Sequence, residues 1–396
     1  MKIFIIHNYH RKGSASGDDQ VVKSETRLLE SYGNEVISYS KKNDEFDNKG
    51  IVGKICSTLQ MLWNFSAYKD VKKIILENAP DIVHVHTFFP LMSPSVLYAA
   101  KRTGCKVVAT LHDTRFICPC ATSLRKDEIC NKCGDGKYFR MVKYGCFKKS
   151  RLQSLIVAII FYYHRSRKSF YKQIDRYICL NNSQIELLTE VGFDKHKIIK
   201  KYNFVSDVSK ICNKKKTMLP DKYVVFYGRI GEEKGIRVLM RIWDEIDDIP
   251  IVVMGDGPLS NEFRQWSQNK DNVIYLGYTE REECLAIVQQ CEFVVFPSIW
   301  YEGCSMVEIE TQSLGKCIIA TDLGFSKETI TDGVNGFKIE LNNKKAFLDK
   351  IRYLWENHEK CMEMGRNARK TYENNYTEEE NYNQLMKCYK GLIEEE

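Results

Sequence analysis

Two carboxylates in the stretch YEGCSMVEIE, Glu302 and Glu310, stand eight positions apart around Gly303, Cys304 and Ser305. Ser305, Met306, Val307 and Glu308 fit a capping box in which Ser305 caps a helix and Glu308 reaches back to it, so the spacing predicts a helix starting at Met306. Glu302 then lies in a strand-to-helix loop and Glu310 in the second turn, with unpaired backbone N–H groups between them. Phosphate oxygens suit those N–H groups and sugar hydroxyls suit the carboxylates, so the pattern fits a nucleotide sugar. The plainer alternative has Glu308 acting only as a cap, with Glu302 and Glu310 solvated at a helix start.

A second loop, YGRIGEEKG, follows an apolar run at 223–227. Gly228 lets the backbone approach a ligand closely, and Arg229 with Lys234 would set two cations on one diphosphate. Such a pair could neutralise a departing diphosphate without a metal. The alternative is surface charge, paired with Glu232 and Glu233. MGDGP adds Gly255 and Gly257 at another strand end, a lone GxG short of a dinucleotide fingerprint. Near the N-terminus, SASGDDQVVKSE sets Gly17 at a helix entry where a phosphate or sugar could come close. Asp18 and Asp19 repel anions there and would serve as caps. Histidines end two further strands, His84 and His86 in DIVHVHTFFP and His112 in VVATLHDTRFICP. A histidine at such a place is more often structural than catalytic, but His112 stands beside Asp113 at the carboxyl end of a very apolar strand. The sequence shows neither HExxH nor an Asp cluster for a metal-held diphosphate.

Loops of this kind need strands behind them and helices after them. Short apolar runs alternate with helical patterns, the signature of parallel α/β sheets. Strands are expected at 3–6, 35–39, 82–85, 107–111 and 177–180, and again in YVVFYGR, IPIVVMGDG, NVIYLGY, FVVFPS and CIIATD. The Lys-rich VSDVSKICNKKKTMLP reads as a linker. The expected organisation is an N-terminal acceptor-side domain at 1–205, a linker at 206–222 and a donor domain at 223–375. A C-terminal helix at 376–396 would return to the first domain. The fold class is α/β, two Rossmann-like doubly wound parallel-sheet domains facing one another across a central cleft. With 396 residues, 43% of them apolar, the chain can bury two cores of ordinary size.

The motifs GRIGEEKG, GDGP, LGY, FPSIWYEGCSMVEIE and DLGFSKETITDGVNGF, in that order, resemble the nucleotide-sugar domain of the GT-B fold in retaining glycosyltransferase family 4, the group 1 enzymes of capsule and O-antigen synthesis. SGDDQVV, HVHTFFP and TLHDTRFICP extend the resemblance over nearly the whole chain. It implies that Arg229 and Lys234 hold the diphosphate, Glu310 the ribose hydroxyls and Glu302 the donor-sugar hydroxyls. Gly303 and the backbone of Cys304, Ser305 and Met306 would hold the sugar and β-phosphate, beside Gly228, Gly255 and Gly257. His112 matches the family's N-domain histidine near the reacting sugar. Gly17 matches a Gly-rich loop and joins the binding set, with Ser16 where many members have a second glycine. The catalytic set is then His112, Glu302, Arg229 and Lys234. Transfer would retain anomeric configuration through an oxocarbenium-like state, with no cofactor required and Glu302 not assigned as a nucleophile.

Cys118, Cys130, Cys133 and Cys146 put a C-x2-C pair between two flanking thiols, a set that could close a structural zinc site, with Cys120 as a competing ligand. Four reduced thiols packed in a loop are the alternative. Between Asp135 and Asp175 lie ten Lys or Arg and no Asp or Glu, so the remainder of this chain of net charge +7 is acidic. The run KKSRLQSLIVAIIFYYHRSRK is too short to span a bilayer, and its flanking cations suit an interfacial helix on anionic lipid. A core helix with solvated ends is the alternative. No recognised nucleic-acid module accompanies the basic stretch, so no nucleic-acid partner is expected. The apolar run opening MKIFIIHNYH is too short for a signal-peptide core, which predicts a cytoplasmic protein, peripheral to the inner membrane face, with reduced cysteines.

The leading expectation is a hexosyltransferase moving sugar from a UDP- or GDP-sugar to a glycan or polyprenyl-linked acceptor. A GT-B nucleotide-sugar epimerase or hydrolase would need no acceptor. A non-enzymatic sugar-nucleotide or nucleic-acid binding protein would need no cation pair on a leaving group.

Overall fold

The computed structural model describes residues 1–11, 17–47, 58–125, 128–209 and 219–395. The chain divides into two compact units, Met1–Tyr202 with Tyr382–Glu396, and Asn203–Asn381. The expected linker at 206–222 thus begins inside the second unit, and its residues 210–218 lie outside the described residues.

The first unit is built on β1 (Lys2–Tyr9), β2 (Glu35–Lys42), β3 (Ile82–Val85), β4 (Lys106–Leu111), β7 (Arg176–Cys179) and β8 (Ile198–Lys200). Two two-residue strands, β5 (Leu124–Arg125) and β6 (Glu128–Ile129), pair antiparallel apart from this sheet. The six strands are parallel in the order β2-β1-β3-β4-β7-β8. Ile3, Phe4, Ile5 and Ile6 are all buried because the sheet is covered on both faces. β1 runs past its apolar core to Tyr9, since its pairing with β2 continues to Tyr9 opposite Lys42. On one face Ile3, Ile5, Ile82, Val108 and Ile178 pack with Leu385, Met386, Tyr389 and Leu392 of the helix Glu378–Glu394.

The second unit repeats the plan with β9 (Val224–Tyr227), β10 (Ile251–Met254), β11 (Val273–Gly277), β12 (Val294–Phe296), β13 (Ile318–Thr321) and β14 (Gly336–Ile339). Their order, β11-β10-β9-β12-β13-β14, is the doubly wound one. The order of winding, not the strand direction, reverses between the parallel β9 and β12, and at such a switch point the loops leaving the two strands part to leave a crevice. Those loops are YGRIGEEKG and PSIWYEGCS. In the first unit the reversal falls between β1 and β3, which lead toward Gly17 and His86.

Candidate active site

In the second unit, glycines decide how closely the switch-point loops pack. Gly228 donates to the Met254 carbonyl at 3.0 Å and Ile230 to the Asp256 carbonyl at 3.0 Å, lacing the loop after β9 to the loop after β10. Gly255 has φ +136°, and a Cβ there would lie 1.8 Å from the Gly228 carbonyl oxygen. A Cβ on Gly257 would lie 2.5 Å from the Ile230 carbonyl oxygen. Backbone contact thus accounts for both glycines of MGDGP. The 3-10 turn Glu232–Lys234 ends at Gly235, which is seated just as closely against Pro297 after β12.

That seating brings two of the sequence's site residues together. Lys234 Nζ donates to Glu302 Oε1 at 2.6 Å, and Ser298 Oγ donates to the same oxygen at 2.8 Å. The ammonium also lies 5.4 Å from the Phe296 ring centroid and 5.9 Å from that of Trp300. Behind Glu302, its carbonyl accepts from Phe325 N–H at 3.0 Å, an approach that leaves no room for a Cβ on Gly324. Arg229 is not part of this cluster in its present rotamer: its side chain is 52% exposed and its Nε lies 3.6 Å from Glu233 Oε1.

The helix Met306–Ser313 begins where the spacing predicts, with Ser305 Oγ accepting from Glu308 N–H at 3.3 Å. Tyr227, the last residue of β9, donates its hydroxyl to the Val307 carbonyl at 2.7 Å and fixes this helix start to the sheet. Cys304 Sγ accepts from Asn203 N–H at 3.4 Å. Glu310 is buried and takes the Arg281 guanidinium on one oxygen, Nε at 3.0 Å and Nη2 at 2.7 Å. Burial raises the Glu310 pKa, and Arg281 offsets part of that rise. Arg281 went unnoticed in the sequence, although it opens the helix Arg281–Gln290 just after β11. The polar run after Glu310 finds partners inside the fold, although the buried Gln312 Oε1 has none among the described residues. Thr311 meets the Tyr227 hydroxyl at 3.0 Å, Gln312 donates to Thr329 Oγ1 at 3.1 Å, and Ser313 accepts from Val208 N–H at 3.3 Å.

Glu308 departs from the simple cap. Its carboxyl is fully buried, with Oε1 accepting from Ser326 Oγ at 2.8 Å and Oε2 without a hydrogen-bond partner among the described residues. Burial pushes its pKa up to about 8, against smaller opposing effects from Ser326 and Lys234. A carboxyl held protonated by the fold contributes stability that is full below its unfolded pKa of about 4.5 and is lost as pH rises toward 8. Glu308→Gln is therefore expected to unfold at an increasingly higher temperature than the parent between pH 5 and pH 8. The difference should grow by up to about 1.4 kcal/mol per pH unit. Thermal melts across that range check it, and a pH-independent difference contradicts it.

In the first unit, Gly17 opens the helix Gly17–Ser31; Ser16 lies outside the described residues. The first turn is occupied by histidines: Asp19 Oδ1 meets His7 Nε2 at 2.9 Å and His10 Nδ1 at 3.2 Å. Burial would raise the Asp19 pKa, but these contacts outweigh it and hold the carboxyl well below the usual range. His112, at the end of β4, meets His86 Nδ1 through its Nε2 at 2.9 Å. His84 faces the other way, its Nε2 on Thr110 Oγ1 at 2.7 Å and its Nδ1 on the Tyr389 hydroxyl at 2.6 Å.

The cysteines of the loop after His112 are near enough to act on one another. Burial and then the charges of Cys118, Cys146 and Cys130 push the Cys133 thiol up to about 12. A hydrogen bond from Cys120 and several backbone N–H groups hold Cys118 down at about 6. Among the described residues, the group of three metal-ligating side chains whose ligand atoms lie within 4.8 Å of one another is Glu25, His84 and His86. A zinc ion in the cysteine loop would have to draw the thiols inward.

The helix Arg151–Ser166 combines both alternatives read from its sequence. Val157, Ala158, Ile160, Phe161 and His164 are buried, whereas Leu152, Leu155, Ile159 and Tyr162 form an exposed stripe. No helix among the described residues is long and apolar enough to cross a membrane.

Two family models match this chain, "Glycosyltransferase Family 4" over residues 19–207 and "Glycosyl transferases group 1" over residues 208–371. The chain is 28% identical over 178 residues to the O-antigen chain mannosyltransferase C of Escherichia coli, a match covering 44% of this chain and 48% of that protein. It is 26% identical over 227 residues to the capsular polysaccharide biosynthesis glycosyltransferase CapM of Staphylococcus aureus, covering 55% of this chain and 59% of that one. The chain thus spans about half the length of these curated relatives. Among solved structures, Anabaena Alr3699/HepE in complex with UDP-glucose superposes with a TM-score of 0.67 at 15% identity, over 99% of this chain and 100% of that one. Sucrose-phosphate synthase from Thermosynechococcus elongatus superposes with a TM-score of 0.72 at 15% identity, over the whole of both chains. These likenesses show the fold.

Proposed function

The chain belongs to the group 1 glycosyltransferases of the GT-B fold, and from that membership we propose that it transfers a hexose, with retention of anomeric configuration, from a UDP- or GDP-sugar to a glycan or polyprenyl-linked acceptor in surface polysaccharide synthesis. The observation that carries this reading is the Lys234–Glu302 pair at 2.6 Å, at the switch point of a doubly wound sheet, with Glu310 on the helix that follows. A diphosphate takes Lys234 from Glu302, and a donor-sugar hydroxyl then replaces it on the carboxylate. Arg229, half exposed and beside Glu233 at 3.6 Å, swings onto the same diphosphate. Glu310 binds the ribose hydroxyls, its charge supported by Arg281. As the bond to the anomeric carbon breaks, the two cations take up the charge that develops on the leaving group, so no metal is obligatory. Glu302 acts as a hydroxyl ligand here: the oxygen that Lys234 leaves keeps Ser298 and takes the donor-sugar hydroxyl in the ammonium's place.

The test is saturation-transfer NMR against a panel of UDP- and GDP-sugars, with the Arg229→Ala, Lys234→Ala double variant as control. One donor that binds the parent and not the variant is expected, with α-donor giving α-product on an added acceptor. Free sugar or an isomerised donor, appearing without acceptor, would instead indicate a hydrolase or epimerase.

Two further parts of the reading concern the first unit. The exposed stripe Leu152, Leu155, Ile159 and Tyr162 is flanked by Lys148, Lys149, Arg151, Arg165, Arg167 and Lys168, a combination that suits the interface of an anionic leaflet. Co-sedimentation with phosphatidylglycerol vesicles, and little with phosphatidylcholine, is expected. Leu152→Glu with Ile159→Glu should weaken it roughly tenfold or more. Equal binding of both proteins would remove the membrane assignment. For Cys118, Cys130, Cys133 and Cys146 we propose structural zinc. Elemental analysis of protein purified without chelator should find one equivalent, and a metal-free, fully folded chain would show the thiols to be simply packed.

A further inference from the structure

His112 ends a buried row of side chains in the first unit. Lys201 Nζ donates to Glu25 Oε2 at 3.1 Å, and each side chain is 1% exposed. Glu25 Oε1 lies 3.2 Å from His86 Nε2 and 3.3 Å from His84 Nδ1. His86 then meets His112 at 2.9 Å, with the two rings stacked at a centroid distance of 5.2 Å. At the far end, His112 Nδ1 is buried and has no hydrogen-bond partner among the described residues; it stands 3.9 Å from Asp18 Oδ1.

Proton counting along the row gives it a direction. Burial would raise the Glu25 pKa, but Lys201 and the histidines hold it well below the usual range, so the row starts from a carboxylate. Burial lowers the pKa of both His86 and His112, and a neutral imidazole carries one N–H. The His86 proton belongs on Nε2, which faces the Glu25 carboxylate at 3.2 Å as a close charge contact, neither atom having a formed hydrogen bond among the described residues. Its Nδ1 is then an acceptor, and the N–H of the 2.9 Å contact must come from His112 Nε2. That leaves His112 Nδ1 as a bare acceptor.

We infer that Glu25 and His86 are positioning residues that lock His112 in the tautomer whose Nδ1 accepts a hydrogen bond from a sugar hydroxyl. This rests on the proposed placement of His112 at the reacting sugar. Asp18, 3.9 Å away, is spaced to share the same hydroxyl region. Glu25, His84 and His86 have a spacing a metal ion could use. Lys201 already supplies the cation on that carboxylate, and a second cation beside a buried ammonium would be repelled.

The first measurement needs no substrate. In 15N spectra of the full chain labelled in histidine, His112 should show its proton on Nε2; a proton on Nδ1 overturns the inference. With the donor identified by the panel, His86→Phe, which fills the space but removes the acceptor, should lower kcat roughly 10- to 100-fold, the scale of partners that orient a functional imidazole. Donor KM should stay within about twofold. His86→Asn, whose Oδ1 can stand in for Nδ1, should recover most of the loss. A His86→Phe enzyme with unchanged kcat, or with only a raised KM, overturns the inference. His112→Ala separates the two levels: wild-type transfer by that variant defeats the placement of His112 itself. Loss of transfer there with normal His86→Phe kinetics defeats only the positioning role.

Discussion

Lys234→Met lowers kcat/KM for sugar transfer by roughly 10²- to 10³-fold, the range found when one preorganised partner of a developing negative charge is removed. The side chain keeps its length and apolar stem, so the change isolates the ammonium. In the resting protein that ammonium is tied to Glu302 at 2.6 Å and largely withdrawn from solvent. It is thereby already placed and desolvated before a diphosphate arrives, which is what makes a point charge effective. Arg229→Ala should cost less, because Arg229 is half exposed and must first move off Glu233. Steady-state kinetics with the donor from the panel decide this, and a Lys234→Met enzyme within threefold of the parent removes Lys234 from the leaving-group site. Because the buried Glu302 loses its ammonium partner in this variant, a melt accompanies the kinetics to separate stability from catalysis.

Gly255→Ala should destabilise the second unit by at least ~3 kcal/mol, beyond the usual range for a single methyl group. Two causes combine. The backbone sits at φ +136°, and the new Cβ would fall 1.8 Å from the Gly228 carbonyl oxygen, an atom of the main chain that cannot rotate away. Relief requires parting the loops after β9 and β10, and with them the support of Lys234. Gly333→Ala is the internal control: its φ is +74°, yet nothing lies within 4 Å of the added atom. That variant should lose only about 1 kcal/mol. Denaturant melts of both decide the matter, and equal losses would show that strain alone acts at Gly255.

The strands were legible where burial on both faces makes an uninterrupted apolar run, as in Val294–Phe296 or Ile318–Thr321. β8 and β14 were not, since Ile198–Lys200 is three residues long and Gly336–Ile339 carries a lysine in a four-residue strand. In the site, spacing located what lies within one loop and one helix, namely Glu302, Ser305 and Glu310. It could not supply partners that topology brings from afar. Arg281 reaches Glu310 from the first position of the helix that follows β11, and Lys201 reaches Glu25 across 176 positions. Glu308 shows the opposite limit. The capping pattern was present and the hydrogen bond to Ser305 formed, but the depth of burial, which outweighs the hydrogen bond from Ser326, made its carboxyl a proton-holding core group.

The helix that covers Ile3, Ile5 and Ile82 comes from the other end of the chain, through Leu385, Tyr389 and Leu392. On the ribosome, therefore, the sheet of the first unit emerges early and waits with one apolar face only partly covered, by Val22 and Leu29, while the whole of Asn203–Asn381 is translated. Tyr389, whose hydroxyl meets His84, arrives with that cover. A message cut short anywhere before it yields a chain with an unsealed sheet, sticky to its neighbours and lacking the final contact behind its histidines.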